Sequence, residues 1–367
     1  MKVPEFSERE LVVSRTLPNY NGSDPVPVYS FPVTPREGVQ ALYKKEPMWQ
    51  VMLGFGLETT IFSPRCIPDY IARAHVFDGA PAPVFTDMET NMDMFGREWI
   101  YEADISGSMV MPGNPLATDA NDFEDRLVWP DIETWEWEAN KELNQQYLAT
   151  DNYYLLVFMN GYFERLISLM DFENALVALI DKNQTSAVQR FFDKLTDLYI
   201  CIIDKVLQHF PEVNGISFHD DWGGEKNTFF SPETVAQMIV PPMRKLTDYM
   251  HGRGLDCDLH SCGNNQAQVE NIIAAGWDSW TPQDINDTLA LYDKYGDRII
   301  IATIPEYYDP ASTSEEQQRA LARAYANHVA RPEKPSAANL YGYINHPMYT
   351  TAFREELYRQ SRINYSQ

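Results

Sequence analysis

The feature that most constrains the fold is a regular alternation of short apolar segments with longer amphipathic segments, which starts near residue 150 and continues toward the end of the chain. Apolar runs rich in Ile, Leu, Val and aromatic residues predict buried strands, and each run is followed by a segment with helical periodicity. Strands that alternate with helices in this way are typical of parallel βαβ units. Six such strands are predicted at 154–159, 215–219, 255–260, 277–281, 298–304 and 340–345.

Two more apolar segments upstream, at 49–53 and 83–87, bring the number of predicted strands to eight. Eight parallel strands spread over about 300 residues fit a (β/α)8 barrel, the TIM-barrel fold of the α/β class. A doubly wound open sheet is the alternative, and it ranks second because no G-x-G-x-x-G follows the first strand. The helices are predicted in pieces over 161–209 and then at 231–251, 265–275, 287–295 and 313–329.

Local composition suggests how the chain is divided. Residues 1–45 are polar and interrupted by prolines, and they are predicted to form an N-terminal extension or arm, whereas 46–367 are predicted to form a single catalytic barrel domain. Within that domain, residues 102–138 carry ten acidic residues and one basic residue, Arg126. This stretch is either a solvated acidic excursion held by its tryptophans or a docking face for a basic partner, and the first interpretation is favoured.

The charge balance excludes several classes of partner. The 367 residues include 29 basic and 53 acidic residues, for a formal net charge of −24. Such a surface repels the phosphates of nucleic acid and the anionic face of a membrane. The four cysteines do not form a disulfide framework, and the first residues carry charges where a signal peptide needs an apolar core. We therefore expect a cytoplasmic protein whose partner is a small molecule or a protein with a basic patch.

In a barrel of this kind, chemistry takes place at the carboxyl ends of the strands. His260 and Cys262 follow the fifth predicted strand two positions apart, so their side chains project on the same side and can reach one ion. Imidazole and thiolate together favour zinc. A third ligand is expected from His346 after the eighth strand or Glu306 after the seventh, although a loop histidine and a salt-bridged rim acid are the alternatives.

Further polar and aromatic residues lie at other predicted strand ends. An inward-pointing residue of the pair Asp220 and Asp221 could act as a base, orient a ligand histidine or bind substrate, and the alternative is a structural anchor for the following turn. Asp87 follows the predicted strand at 83–87. Methionines and aromatic residues concentrated near the strand ends suit an apolar, aromatic ligand. The residues expected to contact substrate are Met159, Asn160, Tyr162, Asp220 and Trp222.

Several of these motifs resemble those of the uroporphyrinogen decarboxylase superfamily, over roughly residues 45–350. The resemblance implies a single (β/α)8 barrel. Decarboxylases of that superfamily carry arginines after the first strand to hold carboxylates, but residues 48–57 contain no arginine, which argues against decarboxylation of a porphyrinogen. The matching motifs are V-F-T-D at 84–87, N-G-Y-F-E-R at 160–165, F-E-N at 172–174, H-D-D-W-G-G at 219–224, F-S-P-E at 230–233 and H-S-C-G-N at 260–264.

The chain is more similar to the corrinoid-dependent methyltransferase branch of that superfamily. The zinc pattern of that branch is H-x-C followed far downstream by a second cysteine. His260 and Cys262 match the first two positions of this pattern. No cysteine follows Cys262 in this sequence, and His346 falls near the place of the third ligand. The resemblance implies zinc and a separate corrinoid protein as methyl acceptor.

The expectation from this resemblance is a zinc-dependent transfer of a methyl group from a small methylated substrate, with a methoxylated aromatic favoured, to the cobalt of the corrinoid protein. Asp221 or Asp87 would handle a proton or position the substrate. The alternatives are transfer from a methyl-corrinoid to a thiol or folate, a decarboxylase acting on another substrate, and a non-catalytic barrel that binds a tetrapyrrole.

Overall fold

The computed structural model describes residues 4–17, 25–53, 57–339 and 348–366. Apolar segments form strands, most of which are short. The strands are β1 (Val13–Leu17), β2 (Val26–Tyr29), β3 (Met52–Leu53), β4 (Thr59–Phe62), β5 (Thr90–Met92), β6 (Glu98–Glu102), β7 (Gly107–Val110), β8 (Tyr153–Phe158), β9 (Gly215–His219), β10 (Asp256–Ser261), β11 (Ser279–Pro282), β12 (Ile300–Thr303) and β13 (Ala337–Asn339).

Amphipathic segments form the helices. Short 3-10 turns occur at Glu8–Leu11, Ala103–Ile105, Ala120–Asp122, Ile132–Thr134 and Gln266–Gln268. The α-helices are α1 (Pro35–Tyr43), α2 (Pro68–Ala72), α3 (Phe123–Arg126), α4 (Trp137–Asn144), α5 (Tyr162–Met170), α6 (Phe172–Ala178), α7 (Thr185–His209), α8 (Pro232–Met238), α9 (Val240–Gly252), α10 (Val269–Ala274), α11 (Thr288–Tyr295), α12 (Glu315–Val329) and α13 (Thr351–Tyr365). Within the described residues, no helix combines the length and the apolar character needed to cross a bilayer.

The main sheet has eight strands in the order β3-β13-β12-β11-β10-β9-β8-β4. From β8 to β13, strands that follow one another in the chain are neighbours in this sheet. The pairs β8–β9, β9–β10, β11–β12, β12–β13 and β13–β3 are parallel. Helices follow the strands, as expected for βαβ units. The predicted (β/α)8 barrel is therefore confirmed. Two small antiparallel sheets, β1–β2 and β5–β6–β7, accompany the barrel.

The burial of the strands explains why their sequences are almost uniformly apolar. Every residue of β8 and of β9 is buried, since a parallel barrel strand is covered by helices on one side and by the barrel interior on the other. The helix start predicted at Ser231 is also present: its hydroxyl accepts a hydrogen bond from the backbone N–H of Thr234, and Pro232 occupies the first turn of α8.

The second predicted strand was wrong. Residues 83–87 do not form a strand, and the eight-stranded sheet instead contains β4. Pro81 and Pro83 have no backbone N–H to donate to a neighbouring strand, which disfavours a central position for this segment. The eighth strand was predicted at 340–345, which lies outside the described residues, and β13 ends immediately before it.

The chain divides into two compact units, the first comprising 1–61, 151–154 and 278–367 and the second 62–150 and 155–277. In the first unit, Val26 and Val28 of β2 belong to the apolar core, and the fully buried Arg362 of α13 forms an ion pair with Glu10 at 2.7 Å. The division at residue 45 into an arm and a barrel domain stays a prediction.

The second unit has its own buried ion pairs. Arg165 of α5 is fully buried between the carboxylates of Asp69 and Asp93, and the distance to Asp93 is 2.9 Å. Asp93 also accepts a hydrogen bond from the indole N–H of Trp99 on β6 at 3.0 Å. These contacts attach the segment between β4 and β8 to α5.

Candidate metal centre

Two histidines face each other at the carboxyl ends of adjacent strands in the second unit. His219 is the last residue of β9, and His260 is the next-to-last residue of β10. The parallel register pairs these two positions directly, so that both side chains project from the same side of the sheet. Their ring centroids lie 5.2 Å apart, and both residues are buried.

Cys262 brings a sulfur atom to the same place. It lies in the loop after β10, and its Sγ is 3.5 Å from Nε2 of His260. The ligand atoms of His219, His260 and Cys262 all lie within 4.8 Å of one another. In a tetrahedral zinc site, a Zn–S bond of about 2.3 Å and a Zn–N bond of about 2.0–2.1 Å place sulfur and nitrogen about 3.6 Å apart. The observed separation of Cys262 and His260 therefore fits a shared zinc ion.

The set of three donors fits zinc in number as well as in kind. Two imidazoles and one thiolate would leave one position of a tetrahedral ion for a water or a substrate atom, as in catalytic zinc sites. Asp221 lies beside this group, with its Oδ1 3.5 Å from Nε2 of His219. Glu164, His219 and Asp221 form a second group of ligand atoms within 4.8 Å.

Glu164 of α5 determines which nitrogen of His219 is available. Its Oε2 lies 2.7 Å from Nδ1 of His219, and its Oε1 accepts a hydrogen bond from Nη1 of Arg73 at 2.8 Å. A carboxylate on Nδ1 holds the proton there and leaves Nε2 free to bind a metal. Although burial opposes its charge, the cations Arg73 and His219 lower the pKa of Glu164 to about 2. Glu164 is therefore ionised at neutral pH.

The same electrostatics favour a positive charge at His219. Burial alone would lower its pKa, but the carboxylates of Asp221 and Glu164 outweigh that effect and raise the pKa well above its usual value. The thiol of Cys262 is also held in its protonated form, because burial, followed by the charge of Asp221, raises its pKa to about 11. Binding of a divalent cation by these atoms would therefore release one proton from His219 and one from Cys262.

The loops that carry these side chains are held together through their backbones. The N–H of Cys262 donates to Oδ1 of Asp221 at 2.6 Å, and the N–H of Asn264 donates to the carbonyl of Gly224 at 2.8 Å. Gly263 has φ +83°, and a Cβ atom there would lie 2.0 Å from the carbonyl oxygen of Gly223. The glycines of both motifs therefore allow the close approach that places Cys262 beside His219 and His260.

Asp220 lies under the site and caps α5. Its carboxylate accepts hydrogen bonds from the backbone N–H groups of Tyr162, Phe163 and Glu164 and from the indole N–H of Trp222, at 2.9–3.2 Å. Its burial, together with the nearby charge of Glu164, raises its pKa to about 7. Asp220 thus joins the end of β9 to the first turn of α5, which fixes the position of Glu164.

The residues expected to contact substrate are all buried. The Tyr162 hydroxyl lies 2.8 Å from Oγ1 of Thr196, Trp222 is fully buried, and Met159 ends the apolar run that contains β8. Asn160 is also buried, and its Oδ1 accepts a hydrogen bond from Arg73. The assignment of Met159, Asn160, Tyr162, Asp220 and Trp222 as substrate contacts stays a prediction.

Three predicted site residues do not belong to the group around His260. Asp87 is exposed, and its carboxylate accepts a hydrogen bond from the N–H of Ala103 at 3.1 Å. Glu306 is exposed and is absent from the metal-ligand groups of the described residues. His346 lies outside the described residues.

Sequence reasoning did not place His219 in the candidate metal-binding group, nor Glu164 as the hydrogen-bond partner of His219. The predicted fourth and fifth strands both end in histidine, and this shared ending is a signal that the two imidazoles can lie side by side across a parallel pair. The position of Glu164 carries no such signal, because its contact with His219 depends on how Asp220 orients α5.

The comparisons with known proteins concern the fold. No protein-family model matches the chain, and no curated protein matches it. Among solved structures, a methyltransferase from Methanosarcina mazei is similar with a TM-score of 0.53, over 90% of this chain and 98% of that one, at 13% sequence identity. A likeness at this identity shows the fold alone, and it agrees with the parallel eight-stranded barrel.

Proposed function

We propose that this chain is a zinc-dependent methyltransferase that moves a methyl group from a small methylated substrate to the cobalt of a separate corrinoid protein. The observation that carries the proposal is the approach of His219, His260 and Cys262 to within 4.8 Å at the carboxyl ends of β9 and β10. The similarity in fold to a methyltransferase supports the reaction class.

The protein side chains that would hold zinc are His219, His260 and Cys262. Zinc bound there would supply a Lewis acid for the oxygen of the substrate, which carries negative charge as its methyl group leaves. Glu164 keeps the proton of His219 on Nδ1, and Arg73 keeps Glu164 in place. Asp220 holds the helix that presents Glu164.

Asp221 is the protein group placed to handle a proton. Its Oδ1 accepts the N–H of Cys262 at 2.6 Å and lies 3.5 Å from His219. Unlike Asp220, it is only partly buried, so solvent and substrate can reach it. We assign to Asp221 the positioning of the substrate and the delivery of a proton to the departing oxygen.

A methoxylated aromatic compound is the favoured substrate. The loop after β9 carries Phe229, whose ring packs edge-on against Phe172 with centroids 5.0 Å apart, and both rings are partly exposed. Phe230 of the same loop packs against Phe163 of α5 at 4.9 Å. Aromatic side chains next to polar catalytic groups are typical of sites for aromatic ligands.

Metal analysis of the purified protein beside a Cys262→Ser variant tests the metal site. We expect about one zinc per chain in the wild type and loss of the metal in the variant. Cys201→Ser is the matched control, because Cys201 is an exposed free cysteine of α7, and it should retain zinc. Zinc that stays in Cys262→Ser, or that is equally lost from both variants, would contradict the proposed ligand set.

The reaction itself is tested with a methoxylated arene and a reduced corrinoid protein. Formation of methyl-cobalt is followed by absorbance, and release of the phenol by chromatography. We expect both products in equal amounts with the wild type and neither with Cys262→Ser. Full activity in a metal-free preparation would refute the zinc-dependent mechanism, whereas release of carbon dioxide without methyl transfer would indicate a decarboxylase.

A further inference from the structure

We propose that the methylated substrate carries a carboxylate, and that Arg73 and Asn160 bind this carboxylate beside the metal centre. The inference rests on the methyl transfer proposed above, for which it specifies the class of substrate. It concerns two side chains whose hydrogen-bonding capacity is only partly used within the protein.

Arg73 has an edge available for an anion. Its Nη1 donates to Oε1 of Glu164 at 2.8 Å and to Oδ1 of Asn160 at 3.3 Å, and its guanidinium lies over the ring of Trp99 at 4.9 Å. Among the described residues, no acceptor contacts Nε or Nη2, and the side chain remains 13% exposed. A guanidinium edge of this kind is suited to binding a carboxylate through two hydrogen bonds.

Asn160 provides a second donor. The residue is fully buried, and within the described part of the chain its Nδ2 has no hydrogen-bond partner. The orientation of the amide follows from its other contact, because only the oxygen can accept the hydrogen bond from Arg73. A buried amide donor without an acceptor destabilises the fold, and a carboxylate oxygen of a bound ligand would satisfy it.

The backbone at Asn160 is consistent with a functional position. Its φ of +62° lies in the left-handed region, which is uncommon for residues other than glycine, and the Tyr199 hydroxyl donates to its carbonyl at 2.5 Å. Ala74, next to Arg73, also has a positive φ of +55°. Strained residues of this kind cluster at ligand sites, where surrounding contacts hold them.

The distance from Arg73 to the metal centre suits a small aromatic acid. The path from Nη1 of Arg73 to Nε2 of His219 passes through the Glu164 carboxylate and one imidazole ring, so the two nitrogens lie within about 10 Å of each other. A benzoate with a methoxy group on its ring can reach both ends of this span. Glu164 contacts only Nη1, so the donors on Nε and Nη2 of Arg73 keep their capacity for hydrogen bonds to a ligand.

The overall charge of −24 does not oppose the binding of one carboxylate at this place. Exposed charges are screened beyond about 8 Å at physiological ionic strength, whereas a donor within hydrogen-bonding distance is not. Burial and the charges of His219, Arg73 and His260 lower the pKa of the nearby His75 to about 3, so His75 is neutral. Arg73 is therefore the cation placed for the carboxylate.

The test is calorimetric binding of 4-methoxybenzoate and of its neutral analogue 4-methoxybenzamide, without corrinoid protein. Asn160→Asp keeps the oxygen that Arg73 contacts and replaces the unpaired donor with an acceptor. We expect it to weaken binding of the benzoate about 10- to 100-fold, the effect of losing a charge-assisted hydrogen bond, and to leave the benzamide unaffected. Arg73→Lys keeps a cation for Glu164 but loses the planar fork, so it should also weaken only the benzoate.

Asn327→Asp is the matched control, since Asn327 is exposed on α12 and its oxygen likewise accepts one hydrogen bond, from Asn364. It should change neither affinity. Zinc content and thermal unfolding of each variant separate a binding effect from a loss of fold or metal.

The proposal is overturned if wild-type protein fails to bind the benzoate or binds both compounds equally, or if Asn160→Asp weakens both alike. It is also overturned if Cys262→Ser loses the benzoate while Asn160→Asp retains it, because the carboxylate would then bind at the metal. Methyl transfer to the corrinoid protein is measured separately. Its absence, with the binding contrast intact, would refute the proposed function and leave the carboxylate site standing.

Discussion

Replacing Glu164 with glutamine should weaken zinc binding without removing a ligand. The carboxylate accepts from two donors at once, Nδ1 of His219 at 2.7 Å and Nη1 of Arg73 at 2.8 Å, and it is almost fully buried. Glutamine has the same shape but one acceptor oxygen and one NH2 group. If its oxygen faces His219, the NH2 group meets the donor of Arg73. If its NH2 group faces His219, Nδ1 becomes the acceptor, and Nε2 carries the proton where the metal should bind.

In the first orientation the variant loses one buried, charge-assisted hydrogen bond, and in the second the proton lies on the nitrogen that should bind zinc. Such a bond contributes about 1.5–3 kcal/mol, which corresponds to roughly a 10- to 100-fold loss in zinc affinity. Partners of metal-ligating histidines generally have effects of this size. The assay is competition for zinc with a chromophoric chelator of known affinity at pH 7, applied to wild type and Glu164→Gln.

The chain offers a matched control for this substitution. Glu138 also contacts a histidine, with its Oε1 3.3 Å from Nε2 of His209, but its carboxylate is 77% exposed and the pair belongs to none of the metal-ligand groups of the described residues. Glu138→Gln should leave zinc affinity unchanged. An affinity of Glu164→Gln within about twofold of wild type would refute the role assigned to Glu164, since the lost bond predicts at least a tenfold effect.

Three further predictions concern stability, measured by denaturant unfolding. Arg165→Met leaves two buried aspartates without their cation and should lower the free energy of unfolding by about 3–5 kcal/mol. The exposed control Arg244→Met should lower it by less than about 1 kcal/mol, and equal losses in the two variants would contradict this prediction. Gly161→Ala places a Cβ 2.3 Å from the side chain of an aspartate and should destabilise the protein, whereas Gly252→Ala, with no atom within 4 Å, should not. Burial raises the pKa of Glu58 from 4.5 to about 7, so the free energy of unfolding of the wild type should fall by up to about 3 kcal/mol as the pH rises from 4.5 to 7. Glu58→Gln should lack this pH dependence. Parallel pH profiles of the two proteins would show that Glu58 is not the group responsible.

The barrel was predictable from sequence because a parallel strand buried on both faces is almost continuously apolar. The predicted strand at 215–219 coincides with β9, and the strand at 154–159 is displaced from β8 by one residue. The N-terminal part was harder to predict. β4 has only four residues, two of them threonine, whereas 83–87 resembled a strand through its apolar residues despite its proline.

The candidate metal centre was only partly predictable, for a reason that lies in the geometry. His260 and Cys262 are two positions apart, so their proximity follows from local chain direction. His219 precedes them by about forty residues and reaches them through the register of β9 with β10, which pairs it with His260. Register and helix orientation depend on packing between elements, and a single sequence records that packing only indirectly.

Adjacent positions on α5 link two distant parts of the second unit. Glu164 turns toward His219, whereas its neighbour Arg165 is clamped by Asp69 and Asp93. A rigid helix cannot move one of these side chains without moving the other. Rearrangement of the segment between β4 and β8 that carries these two aspartates, for example on contact with another macromolecule, would thus be transmitted mechanically to His219 and would alter its fit to a bound metal ion.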